Sequence, residues 1–156
     1  MICVKYIDSP VGLLRLEAEG GNITRLNFLE EEGKPGAGCE LLEEAARQLR
    51  QYFEGARKVF ELPLAPAGTP FQQSVWAALR EIPWGETRSY IDIARRVGRP
   101  GGARAVGMAN RRNPIAIVIP CHRVIGADGS LTGYGGGLDR KRILLALEGF
   151  APCPSH

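Results

Sequence analysis

The chain has 156 residues, 44% of them apolar and 24% charged, proportions that exclude a disordered, collagenous or coiled-coil polypeptide. At this length it can form one compact core, or two small lobes sharing an interface, but not two full-sized domains. The formal net charge of +3 conceals an asymmetry: Glu30 to Glu44 carries six acids against Lys34, whereas Glu86 to Arg112 carries seven arginines against Glu86 and Asp92. Such a basic stretch suits contact with a polyanion or, equally, a solvated arginine-rich helix face.

In chain order, Ile2 to Ile7, Leu13 to Glu17 and Ile23 to Leu29 are short apolar runs separated by Ser9-Pro10 and Gly20-Gly21-Asn22. They predict an antiparallel meander. After a glycine-rich loop from Gly33 to Gly38, the spacing of Leu42, Ala45, Ala46, Leu49 and Phe53 predicts a helix over 41–53, stopped by Gly55. Leu62 to Pro70, with three prolines and a glycine, reads as a linker to a second lobe. Thr69-Pro70-Phe71-Gln72 has the pattern of a capping box with proline at the first helical position. The helix it opens runs to about Ile82, where Pro83-Trp84-Gly85 breaks it. Further helices are predicted over 89–97, ending at Gly98, and over 103–110 after the turn Arg99-Pro100-Gly101-Gly102. The last two fit a helix-turn-helix, although a generic helical hairpin reads alike. The buried run Ile115 to Ile119, the string Pro120 to Ile125, a turn over 126–130, a glycine-rich loop over 132–137 and a closing helix from Leu138 to Glu148 complete the chain. The expected class is α+β: an N-terminal antiparallel sheet with a helix over 1–62, then a mainly helical lobe over 69–149 containing a winged helix-turn-helix-like unit.

The longest apolar run, Ile115 to Ile119, falls far short of a membrane span, so no membrane association is expected. No basic, apolar and small-residue series opens the sequence, so no secretory signal is expected, and a cytoplasmic setting is the default. In that setting Cys3, Cys39, Cys121 and Cys153 read as separate reduced thiols. With His122 and His156 as the histidines and no C-x2-C spacing, no metal and no cofactor are expected.

Cys121 stands out because it follows an apolar run, precedes His122 and lies between arginine-rich and glycine-rich segments. A nearby imidazole populates the nucleophilic thiolate. Neighbours in an extended chain point to opposite faces, however, so His122 needs a bend after Pro120 or a bridging water to serve Cys121. Taken alone, a cysteine in a buried run reads as an inert core thiol.

The string Pro120-Cys121-His122-Arg123-Val124 alters that balance. Together with Ser89-Tyr90, Arg104-Ala105-Val106-Gly107, Asn113-Pro114, Gly133-Tyr134, Gly136-Gly137-Leu138 and Glu148-Gly149, it resembles the methylated-DNA-protein-cysteine methyltransferases, the alkylguanine DNA alkyltransferases, from about Thr69 to Gly149. The resemblance implies single-turnover repair: Cys121 accepts a methyl or alkyl group from the 6-oxygen of guanine, with the 4-oxygen of thymine left open as a second source. It implies activation of Cys121 through a water by His122, orientation of His122 by Glu148, and a hydrogen bond or proton from Tyr90 to the departing purine. Double-stranded DNA carrying alkylated guanine is the implied partner of a monomeric protein, bound through the minor groove without sequence preference and with the damaged nucleotide flipped out. Arg104 is then the arginine that replaces the flipped base, or else a phosphate contact. Ala103, Ala105 and Gly107 allow close approach to the groove. Asn113 braces the turn into the active-site segment, and Tyr134, Gly135 and Gly136 wall the substrate pocket.

This chain departs from the pattern at Gly135, where many relatives carry serine, and at Met108, where relatives often carry a smaller residue, so that core and surface positions for Met108 both stay open. Two other functional classes compete. A cysteine hydrolase built on Cys121, His122 and Glu148 would turn over many times. A non-catalytic lesion-binding module would rest on the helix-turn-helix and arginines alone, and the presence of Cys121 argues against it.

Overall fold

The computed structural model describes residues 2–131 and 133–150. Thr132, Cys153 and His156, each named in the sequence reading, lie outside the described residues. The chain divides into two compact units, one formed by Met1–Ala67 with Pro114–Ala116 and the other by Gly68–Asn113 with Ile117–His156.

In the first unit, β1 (Ile2–Ile7), β2 (Leu13–Glu19) and β3 (Asn22–Leu29) form an antiparallel sheet in sequential order. Leu14, Leu16 and Ala18 alternate on the buried side of β2, as a one-sided sheet requires. On β3 the buried pair is Ile23 and Leu26, three residues apart and out of that period. The register explains it: Glu17 pairs with Arg25 and Ala18 with Ile23, leaving Thr24 as an extra residue in the strand. This bulge resets the alternation. Helix α1 (Glu40–Phe53) buries Leu42, Ala45, Ala46 and Leu49, as expected from the sequence, but the stripe ends on Tyr52, and Phe53, expected in its place, is only half-buried.

The proline-rich stretch after α1 does more than connect. The Ile23 amide donates to the Pro63 carbonyl at 2.8 Å and the Ala65 amide to the Ile23 carbonyl at 2.9 Å, which lays this stretch along β3. A second segment does the same further along, with the Leu26 amide donating to Pro114 at 2.9 Å and the Ala116 amide to Leu26 at 3.2 Å. Prolines 63 and 114 serve here as acceptors, the one ladder function a proline retains. Cys3 is paired across to Ala37, and its thiol meets that of Cys39, a contact that together with partial burial raises the Cys3 pKa.

In the second unit, α2 (Pro70–Arg80) carries the capping box read from sequence: the Gln72 amide donates to Thr69 Oγ1 at 3.1 Å and the Thr69 amide to Gln72 Oε1 at 2.9 Å. α3 (Tyr90–Arg96) begins with a second such box, from Ser89 and Asp92, and Gly98 at φ 79° turns the chain toward α4 (Ala103–Arg111). Buried Trp76 of α2 donates its indole N–H to the Ala109 carbonyl of α4 at 2.9 Å. A Cβ at Gly68 would lie 2.5 Å from the Trp76 ring, so glycine is needed there. Beside the helices, β4 (Arg88–Ser89) and β5 (Val124–Ile125) form a short parallel ladder, and α5 (Leu138–Leu147) closes the unit. Among the described residues no helix is long and apolar enough to cross a membrane.

Replacing Trp76 by Phe takes the indole donor from the Ala109 carbonyl, which keeps the Arg112 amide at 3.2 Å, at an expected loss of about 0.5–1.5 kcal/mol in unfolding free energy. Denaturant unfolding checks this, and an unchanged midpoint would contradict it.

Candidate active site and nucleic-acid surface

The segment leading to Cys121 is buried but is not a strand. Ile115 bridges Leu26, the chain then turns over 116–118, and Ile117 holds φ at 71°, the one positive value for a non-glycine among the described residues. For a β-branched side chain this is a strained conformation, of the kind found where the surroundings fix a functional segment. Asn113 fixes this one, its Nδ2 donating to the Ile119 carbonyl at 2.8 Å. The chain then bends at Pro120 into a single 3-10 turn, Cys121–Arg123. That turn supplies the bend which an extended reading of Cys121-His122 lacks. From α4, the buried Asn110 also donates to the Cys121 carbonyl at 3.3 Å.

Cys121 is 5% exposed. Burial pushes its thiol pKa up, opposed by hydrogen bonds from the Asn113 and Tyr134 side chains and by the charge of Lys141. The expectation of a thiolate populated by its neighbours therefore meets a desolvation cost, and the thiol is favoured at rest. His122 is fully buried, with Nε2 at 2.8 Å from Glu148 Oε2. A carboxylate accepts there, so Nε2 carries the proton and Nδ1 is the basic nitrogen. Nδ1 has no hydrogen-bond partner among the described residues. Burial lowers the His122 pKa, against the raising effect of Glu148. Glu148 caps the C-terminal end of α5. Its burial would raise its pKa, but hydrogen bonds and charge from His122 and Arg123 prevail and bring it down to about 2.

Arg123 and Lys141 were not singled out from sequence. Arg123 donates through Nε to Glu148 Oε1 at 2.8 Å, through Nη2 to Glu148 Oε2 at 3.0 Å, and through Nη1 to the Ile82 carbonyl at 2.7 Å. Lys141 is fully buried, and burial brings its pKa down to about 8 while the Cys121 charge opposes that shift. Its signal was present: Lys141 precedes the buried Leu144 and Leu145 by three and four residues, which puts all three on one helical face.

A cavity of about 320 Å³ is lined by Tyr90, Ala103, Arg104, Gly107, Met108, Arg111 and Gly133, a size that suits a small ligand. It gathers Tyr90, Ala103, Arg104 and Gly107 of the residues expected to meet DNA or substrate, whereas Ala105, Cys121 and the expected pocket residues Tyr134, Gly135 and Gly136 are not among its walls. Tyr90 Oη donates to the Gly133 carbonyl at 3.3 Å, and the next residue, Tyr134, is the one that reaches Cys121. Arg104 is exposed near the start of α4 and makes no ion pair with a described residue. Met108 is 59% exposed, which decides between the two positions left open for it in favour of the surface. Gly135 backs onto α4, where an added Cβ would stand 3.1 Å from the Arg111 carbonyl oxygen. The serine common at this place would thus require a shift of the neighbouring backbone. The Gly136 carbonyl accepts from Arg140 at 3.0 Å. A larger groove of about 670 Å³, lined in part by Glu81, Arg88 and Arg96, holds none of the candidate residues. Its Arg96 is already clamped by Glu81 at 2.8 Å.

Fold and site together define a helix-turn-helix protein with a thiol, an imidazole and a carboxylate buried beside it. Two family models cover nearly all of the chain: the 6-O-methylguanine DNA methyltransferase ribonuclease-like domain over residues 2–66, and the DNA binding domain of the same name over residues 70–150. A methylated-DNA-protein-cysteine methyltransferase of Methanosarcina acetivorans is 52% identical over 148 residues, covering 91% of this chain and 95% of that protein. One from Mycobacterium tuberculosis is 52% identical over 153 residues, covering 95% and 93%. The crystal structure of the Mycobacterium tuberculosis O6-methylguanine methyltransferase aligns with a TM-score of 0.85 at 51% identity, covering 99% of this chain and 97% of that one. A crystal structure of the Mycobacterium tuberculosis protein in complex with DNA aligns equally well, at 0.85 and 53% identity over 93% and 91% of the two chains. The chain belongs to the 6-O-methylguanine DNA methyltransferase family.

The depressed Glu148 pKa makes a prediction about acid. A carboxylate held at about 2, against an ordinary 4.5, contributes stability that is fully present above the unfolded value and is lost as pH falls through the folded one. Glu148→Gln should therefore flatten the loss of stability between about pH 4.5 and 2 while lowering stability at neutral pH. A variant whose acid unfolding curve parallels that of the wild type would contradict the shift.

Proposed function

We propose that this protein reverses alkylation damage in DNA directly, moving a methyl or larger alkyl group from the 6-oxygen of guanine to Cys121 in a single irreversible turnover. The observation that carries the assignment to Cys121 is its place in one 3-10 turn with His122, whose far nitrogen is held by Glu148 at 2.8 Å. When a lesion enters, the Cys121 proton passes toward His122 Nδ1, through a bridging water as the family resemblance implies, and the sulfur attacks the saturated alkyl carbon in line. The carbon–oxygen bond breaks and the electron pair leaves with the guanine oxygen. In this reading Tyr90, lining the cavity beside Gly107, supplies a hydrogen bond to the departing base. The product thioether offers water no easy displacement, so each molecule is consumed by one lesion.

Double-stranded DNA carrying alkylated guanine is the partner. We assign α4 to the minor groove, with the small residues Ala103, Ala105 and Gly107 toward the sugar-phosphate wall and exposed Arg104 in the place of the flipped base. Tyr134, Gly135 and Gly136 wall the alkyl pocket, and Asn113 holds the turn that presents Cys121. DNA as substrate places this work inside the cell, and the cytoplasm is the compartment we propose.

Exposure to duplex DNA containing 6-O-methylguanine should add one methyl group per protein, mapped by mass spectrometry to Cys121, and Cys121→Ser should bind such DNA but take up none. A methyl group on another residue, or many products per protein, would overturn the assignment, the second outcome in favour of a hydrolase. Arg104→Ala should slow repair of duplex DNA about tenfold or more while leaving the reaction with free alkylated guanine nearly unchanged, since only the first requires extrusion. Equal losses on both substrates would reject the intercalating role.

A further inference from the structure

Cys121, His122 and Arg123 are consecutive residues of one 3-10 turn, so their side chains leave it in three directions. Two of them nevertheless meet the same acceptor. Glu148 takes three hydrogen bonds, from His122 Nε2 at 2.8 Å, Arg123 Nε at 2.8 Å and Arg123 Nη2 at 3.0 Å. The third arm of the guanidinium is tied to the Ile82 carbonyl at 2.7 Å, a backbone atom just beyond α2, so the fork is fixed independently of the carboxylate it grips. His122, Arg123 and Glu148 are all at least nine-tenths buried.

We infer that Arg123 is a positioning residue that tunes the charge at the reactive centre: by gripping and neutralising Glu148 it weakens the pull toward imidazolium that works against burial, so that His122 stays an uncharged base able to take the proton from Cys121. The inference rests on the reading of Cys121 as alkyl acceptor. A carboxylate beside a buried imidazole draws it toward imidazolium, against the larger opposing effect of burial, and a ring protonated on both nitrogens has no capacity to accept another proton. A guanidinium on the same carboxylate cancels that pull while leaving the Nε2 hydrogen bond that fixes the tautomer. The charged and titratable groups acting on His122 are Lys141 of α5, Glu148 at the end of that helix and the chain neighbour Arg123. Burial pushes His122 down, Glu148 opposes, and Arg123 and Lys141 add to the lowering. Arginine is suited to the place because only its planar fork spans both carboxylate oxygens and a third acceptor together.

The test is the pH dependence of the second-order rate of methyl transfer in wild type, Arg123→Met and Arg123→Lys. Loss of the cation should raise the His122 pKa, so the acidic limb of the Arg123→Met profile should move to higher pH by about one unit. On that acidic limb the rate at a given pH should then fall about tenfold, and it should recover in alkaline solution. Arg123→Lys keeps the charge without the full grip, and its limb should stay at the wild-type position with a lower plateau. A purely structural role would lower the rate evenly at all pH, and an Arg123→Met profile parallel to that of the wild type would overturn the inference. Should Arg123→Met fail to fold, as judged by circular dichroism, Arg123→Gln decides, because it keeps hydrogen-bond donors toward Glu148 without the charge: a limb displaced to higher pH supports the proposal, and a limb at the wild-type position defeats it. Wild-type protein that takes up no methyl group defeats the reading of Cys121 instead, so the two failures are distinguishable.

Discussion

A single buried carboxylate, Glu148, is shared between an imidazole and a guanidinium, and the chemistry proposed for this protein depends on that sharing. A lone carboxylate in this place would pay a large desolvation penalty. Three charge-assisted hydrogen bonds, two from Arg123 and one from His122, hold it ionised despite its burial. Its position at the end of α5 joins that helix to the turn bearing Cys121, so the closing helix belongs to the reactive centre as much as to the fold.

The electrostatic consequence is a thiol at rest. Burial opposes the thiolate and opposes the imidazolium, so the two would-be ions of the reaction both start neutral. The buried Lys141, whose charge favours the Cys121 anion, lowers the cost of ionisation when it comes. For a protein consumed by one reaction this arrangement has a clear advantage: a standing thiolate would be open to oxidation and to stray electrophiles. In the proposed reaction, proton transfer on arrival of the lesion keeps the sulfur quiet until the substrate is in place.

Much of this was legible in the amino-acid order. A capping box announced α2, a glycine stop at Gly98 marked the end of α3, apolar periodicity announced α1, and the string around Cys121 with its flanks identified the family. What escaped reading arose from long-range pairing or from local departures from regular structure. The bulge at Thr24 puts Ile23 and Leu26 on one face against the strand period. The proline-rich stretch after α1 and the segment at Pro114 take their conformation from β3, far away in sequence. Neither the 3-10 turn at Cys121 nor the positive φ of Ile117 follows from a local propensity; tertiary bonds such as that from Asn113 impose them. Charged residues in the interior were hardest of all: arginine and lysine are read as surface by default, and only the partners of Arg123 and the helical face of Lys141 reveal otherwise.

The account turns on the resting protonation state of the buried pair, which nitrogen NMR of the His122 ring at neutral pH measures directly in unmodified protein. It predicts a neutral imidazole protonated at Nε2 and bare at Nδ1, with the Cys121 thiol intact. A ring protonated on both nitrogens, titrating together with an ionised Cys121, would contradict it.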